Sequence, residues 1–169
     1  MAKFAENTDV PVERSQAEIQ RTIQRYGASS YMSGFQQIPK PMALVMFEVN
    51  GKRIRFNLPL PDPAAHEYAS KRVNQNSPWT PRPANEAAER WEQACRQRWR
   101  ALLLLIKAKL EAVEARITTF EEEMLSHIVM PDGRTVAESI VPGLQAALEA
   151  GGKMPPLLCA SPQTRGAGK

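Results

Sequence analysis

Histidine and cysteine are scarce in this chain, two of each in 169 residues, and that scarcity excludes much chemistry. Nitrogen and sulfur metal sites need several such ligands at short spacing. Neither His66 nor His127 has a second His or Cys so placed. Glu123 and His127 stand one helical turn apart and could share an ion with a third ligand from elsewhere. On a Glu-rich helix, however, such a pair reads first as a solvated face. No cofactor is expected. Carboxylates cluster at Glu121, Glu122 and Glu123 and again at Glu111 and Glu114, but consecutive helix positions point in different directions, and this spacing does not show a general acid and base converging in a cleft. Also missing are a Gly-rich phosphate loop, a nucleophile elbow and a Cys near a His, so the expectation is a protein without catalytic activity.

Cys95 lies within a helical pattern and Cys159 in a Pro-rich tail, so no disulfide framework is readable. A reducing cytosol, with Cys95 as a small core residue, is the expected setting. Long apolar runs are absent too. Ala101 to Ile106 is far short of the roughly 20 residues a membrane span needs, and the start MAKFAENTDV has no signal-peptide core. The chain therefore reads as cytoplasmic, without a membrane partner.

What is present is a mildly basic chain, net charge +4 and pI about 9.3, long enough for one domain. Residues 1–10 read as a flexible arm, 11–150 as a single α+β domain, and 151–169 as a disordered tail. Ser15 and Glu18 fit a capping box at the start of a first helix that Gly27 ends. Ile19, Ile23 and Tyr26 share one face of it. Arg14, Arg21 and Arg25 fall within about 40° of one another on the other side.

Ser29 to Phe35 is a candidate strand. Met42 to Val49 and Lys52 to Leu58 flank Asn50-Gly51, the pair best suited to a tight type I′ hairpin turn, because both central positions need positive φ. That turn pairs Val49 with Lys52, Phe47 with Ile54, Val45 with Phe56 and Ala43 with Leu58 on an apolar face. Glu48 with Arg53, Met46 with Arg55 and Leu44 with Asn57 fall on the other, which is expected to stay open. Pro-rich residues 59–84 read as a long exposed loop, with a short helix allowed within Ala64 to Val73.

A long central helix follows from Asn85. Its Trp91, Cys95, Trp99, Leu102, Ile106, Leu110, Val113 and Ile117 lie in a sector of about 100°, the width of a core-facing stripe. A break is expected at Ile117-Thr118-Thr119, then a helix from Phe120 to His127, a turn at Pro131-Asp132-Gly133, and a last helix opened by a Thr135 and Glu138 capping box. The fold class is α+β, a three-stranded antiparallel sheet on a long central helix, in the order α-β-β-β-α-α-α.

Basic residues near aromatics are the one positive functional signal. Arg21 and Arg25 line the first helix, Arg53 and Arg55 the open sheet face, and Arg96 and Arg100 one edge of the central helix with Lys107. Lys71, Arg72 and Arg82 share the loop with Trp79. Cations neutralise phosphates and exposed aromatics stack unpaired bases, so these residues are the candidate nucleic-acid contacts. Solubilising charge is the plainer account, and Glu18 beside Arg14 and Glu48 opposite Arg53 pair some of it locally. Leu44 and Met46 on the open face suit instead a protein partner, another copy of the chain included.

The strings VPVERSQAEIQRTIQRYGAS, FEVNGKRIRFNLPLP and WEQACRQRWRALLLLIKAKLEAVEA resemble small phage- and prophage-encoded proteins. The resemblance implies a bacterial cytoplasm. It also implies either a nucleic-acid-binding accessory role or binding to a host or phage protein.

Overall fold

The turn at Asn50-Gly51 sets the sheet. The computed structural model describes residues 8–37, 40–72, 74, 76–149 and 151. In it Asn50 and Gly51 adopt φ of 51° and 72°, the left-handed pair that a two-residue hairpin turn requires. Strands β2 (Met42–Val49) and β3 (Lys52–Pro59) pair in the expected register, Val49 with Lys52 through Ala43 with Leu58. Strand β1 (Ser30–Gln36) adds antiparallel to β2, giving the order β1-β2-β3. Every second residue of β2, from Ala43 to Val49, is buried, as a sheet packed on one face requires.

Helix α1 (Val12–Arg25) starts earlier than its sequence pattern suggests. Pro11 has no N–H to leave unsatisfied and its ring suits the φ of −57° found there, while Val12 packs against the core. Ser15 is therefore an interior residue, fully buried, and caps nothing. At the other end Gly27, at φ 85°, lets Ala28 N–H donate to Ile23 O at 3.1 Å, which closes the helix as expected.

The Pro-rich segment contains the four-residue helix α2 (His66–Ala69) and a two-strand ladder, β4 (Ser70–Lys71) with β5 (Thr80–Pro81). Helix α3 (Ala84–Glu114) is 31 residues long. Cys95, Trp99, Leu102, Leu103, Ile106 and Leu110 are its buried residues. Ile117 falls outside the stripe, because Arg116 at φ 57° reverses the chain after Glu114 and leaves Ile117 80% exposed.

Helix α4 (Phe120–Met124) opens with the Thr119 and Glu122 capping box and runs into a 3-10 turn, Leu125–His127. The Pro131-Asp132-Gly133 turn and the Thr135 and Glu138 pair then lead into α5 (Val136–Glu149). No helix among the described residues is long and apolar enough to cross a membrane. Residues 1–7 of the expected arm and 152–169 of the expected tail, Cys159 among them, lie outside the described residues.

Helices α1 and α3 run parallel over the apolar face of the sheet. Thr8 O accepts from Gln93 Nε2, Glu18 pairs with Arg100 and Lys107, and Tyr26 donates to Glu111, so residue numbers rise together along both. Ile19 and Ile23 from α1, Phe47, Ile54 and Phe56 from the sheet, and Leu103, Ile106 and Leu110 from α3 meet in one core. At roughly 25 cal/mol per Å² of apolar area removed from water, that burial is the main stabilising term.

Candidate nucleic-acid interface

The candidate cations divide among three surfaces. Arg53 and Arg55 alternate on β3 and point away from the core, whereas α1 and α3 cover the opposite face with Arg21, Arg25, Arg96 and Arg100. Lys71, Arg72 and Arg82 gather beside the start of α3.

On the sheet, Arg55 is engaged inside the fold. Its guanidinium donates to Gly133 O at 2.9 Å and to Glu138 in the first turn of α5. Glu138 also accepts from Asn57 at 3.0 Å and from Thr135 N–H at 2.8 Å. The Thr135 bond, ahead of the Arg55 charge, holds the Glu138 carboxyl below its ordinary range against the opposing effect of burial. The face expected to be open is thus closed at this corner by a turn and a helix end. Arg53 is exposed and makes no ion pair among the described residues, while its carbonyl accepts from Val129 N–H at 2.8 Å.

Across the helices, Arg21 is exposed, and Arg25 stacks 5.2 Å over the Tyr26 ring. Arg100 is paired with Glu18 at 2.8 Å, and Lys107 binds the other oxygen of the same carboxylate. The Lys107 hydrogen bond is the largest reason why Glu18 is held below the usual carboxylate range. Arg96 donates to Gln93 Oε1 at 2.8 Å and lies 3.7 Å from Glu92. The supposed local partner of Arg14 therefore serves α3 instead, because parallel packing brings two α3 cations to it.

The loop forms the most concentrated site. Arg82 donates to the carbonyls of Tyr68 and Ser70, both at 3.0 Å, and to Glu86 at 2.7 Å. Its side chain is only 6% exposed, so it braces the loop from within. Lys71 binds the other oxygen of Glu86 at 2.7 Å, and that contact is the main cause of the lowered Glu86 pKa. Arg72 lies 4.4 Å over the ring of Trp79, which is 49% exposed and has His66 edge-on at 4.4 Å. Lys71, Arg72, Trp79, Arg82 and Arg90 line an open cleft of about 610 Å³, with Glu67 and Glu86 as its carboxylates.

Arg90 is the residue that sequence reasoning missed. It stands four positions after Glu86 on α3, a spacing that sets both on one side of the helix, and that was its only local signal.

His127 stacks on Phe56 at a centroid distance of 4.0 Å, and burial lowers its pKa. Glu123, one turn before it, pairs with Lys109 at 3.2 Å. Burial likewise pushes the Cys95 thiol up to about 11, as for an unreactive core cysteine. Among the described residues no group of three or more His, Cys, Asp or Glu is placed to hold a metal ion. No family model matches the chain, and no curated protein or solved structure matches it.

Proposed function

We propose that the chain is a non-catalytic nucleic-acid-binding accessory protein of a phage or prophage, working in the bacterial cytoplasm. The observation that carries this reading is Arg72 stacked on half-exposed Trp79 in a cleft shared with Lys71 and Arg90. A cationic rim draws in phosphate, and a nearby indole face suits an unpaired base more than a duplex. Arg82 supports the loop in this scheme and Arg55 supports the sheet, so neither is a phosphate contact. Arg53, Arg21 and Arg25 add exposed positive charge elsewhere.

Fluorescence anisotropy with labelled single- and double-stranded DNA and RNA, over a salt series, tests the reading. Log affinity is expected to fall linearly with log salt. Trp79→Ala weakens single-strand binding by about tenfold, and Arg72→Ala or Arg90→Ala lowers the salt slope by about one. Absence of binding at low salt overturns it.

The protein-partner reading is favoured by a different observation. With Arg55 drawn to Glu138, the outer sheet face leaves Met42, Leu44 and Met46 around a cleft of about 440 Å³, beside Gly34 and Phe35. Methionine-rich apolar surface adapts readily to a protein partner. Capture of one defined host or phage protein, lost on Met46→Asp, would favour this reading over the first.

A further inference from the structure

The two edges of the three-stranded sheet are treated differently. On the β3 edge, Val129 N–H donates to Arg53 O at 2.8 Å, and Ile128 bridges to Ile54, so that edge is covered. The β1 edge has no strand beside it among the described residues. Exposed strand edges are usually blunted by brevity, charge, proline or a bulge. Strand β1 is seven residues long, SYMSGFQ, with no charge and no proline, and it pairs with β2 residue for residue without a bulge.

The direction of its free backbone groups follows from the hairpin. A two-residue turn makes its flanking residues, Val49 and Lys52, a hydrogen-bonded pair, and bonded pairs alternate along an antiparallel ladder. Val49, Phe47, Val45 and Ala43 therefore bond to β3, while Glu48, Met46, Leu44 and Met42 bond to β1. Their β1 partners are Ser30, Met32, Gly34 and Gln36. The N–H and C=O groups of Tyr31, Ser33 and Phe35 are left pointing outward.

Those three outward residues are self-complementary. In an antiparallel pairing of β1 with a second β1 about a two-fold axis at Ser33, Ser33 meets Ser33 and Tyr31 meets Phe35 twice. These are the bonded positions. The same register pairs all seven residues, Ser30 with Gln36 at each end. It places Tyr31 against Phe35 on the helix-covered side of the sheet, and Met32 against Gly34 on the other. Phe35 is 59% exposed and Met32 51%, so the contact would remove apolar surface from water. With no charge in the strand, the two copies meet without repulsion. Phe35 also stands at the mouth of a cleft of about 560 Å³ between α1, β1 and α3, lined in part by Val12, Trp91 and Trp99, and that mouth would face the second copy.

We propose that the chain forms a two-fold dimer through β1, with the two sheets joined into one of six strands. An isologous contact of this kind closes on itself and stops at two copies. The proposal is independent of the nucleic-acid reading, and it uses the β1 edge rather than the face of Met42, Leu44 and Met46.

Light scattering after size exclusion at tens of micromolar is the test. The expected mass is twice the 18.9 kDa of the chain. Ser33→Lys sets two ammonium groups face to face on the axis and is expected to weaken dimerisation at least about a hundredfold while circular dichroism keeps the wild-type fold. In a Cys159→Ser background, Ser33→Cys is expected to give a disulfide-linked dimer on a non-reducing gel. A monomer at these concentrations overturns the proposal. So does a dimer that survives Ser33→Lys, since it would use another face.

Discussion

Arg55 on β3 and Glu138 in the first turn of α5 are ion-paired across 83 positions of sequence. The contact joins the last helix to the sheet at the corner where Gly133 O takes a second bond from the same guanidinium. It changes the meaning of Arg55 from an exposed cation to a fastening.

Arg55→Ala is therefore expected to lower stability by about 1–2 kcal/mol, since both Glu138 and Gly133 O lose a charged donor at a site that remains partly wet. Urea denaturation measures it. The same substitution should leave the salt slope of nucleic-acid binding unchanged, in contrast to Arg72→Ala. An altered slope would return Arg55 to the phosphate contacts.

Glu18 makes stability depend on acid. Its folded-state pKa is depressed by Lys107 and Arg100, so its contribution is fully present above its ordinary value of 4.5 and is lost as pH falls through the folded value. Wild type should lose stability below that pH more steeply than Glu18→Gln, while the variant is already weaker at neutral pH. Parallel pH profiles of the melting temperature would refute the linkage.

Leu103 is fully buried where α3 meets the rest of the core. Leu103→Ala should cost about 2–5 kcal/mol, the transfer free energy of the lost methyl groups plus the cavity left behind. Leu105, on the same helix but 45% exposed, is the control. Leu105→Ala is expected to change the denaturation midpoint far less.

Gly51→Ala separates backbone strain from steric clash. A Cβ at Gly51 meets nothing within 4 Å, yet φ is 72°. The cost is conformational, about 1 kcal/mol, and should appear as a lowered midpoint without change in the near-UV spectrum. A loss much larger than that would mean that the turn governs more of the sheet than its own four residues.

The hairpin was legible because its signal is local. Asn50-Gly51 prefers left-handed φ whatever surrounds it, and the pairing of Phe47 with Ile54 then follows by counting. The Thr135 and Glu138 pair was legible for the same reason, since a spacing of three residues suffices to make it. Ser15 and Glu18 have a matching pattern and do otherwise. Glu18 is turned to Arg100 and Lys107, 82 and 89 positions away, and Ser15 is buried under the helix start set by Pro11. Within the candidate interface, Trp79 and Arg72 were visible as residue types, but their stacking depends on a loop that Arg82 holds together from inside.

By itself the sequence determined the periodicities, the turns, the core stripe of α3 and the α+β order, because backbone preference and hydrophobic spacing act over a few residues. Only the tertiary structure decided which cations are occupied. Whether Arg55 and Arg100 face solvent or a carboxylate depends on elements more than 80 positions away, 83 for Glu138 and 82 for Glu18. Coulombic attraction depends on distance in space, and the fold alone sets that distance.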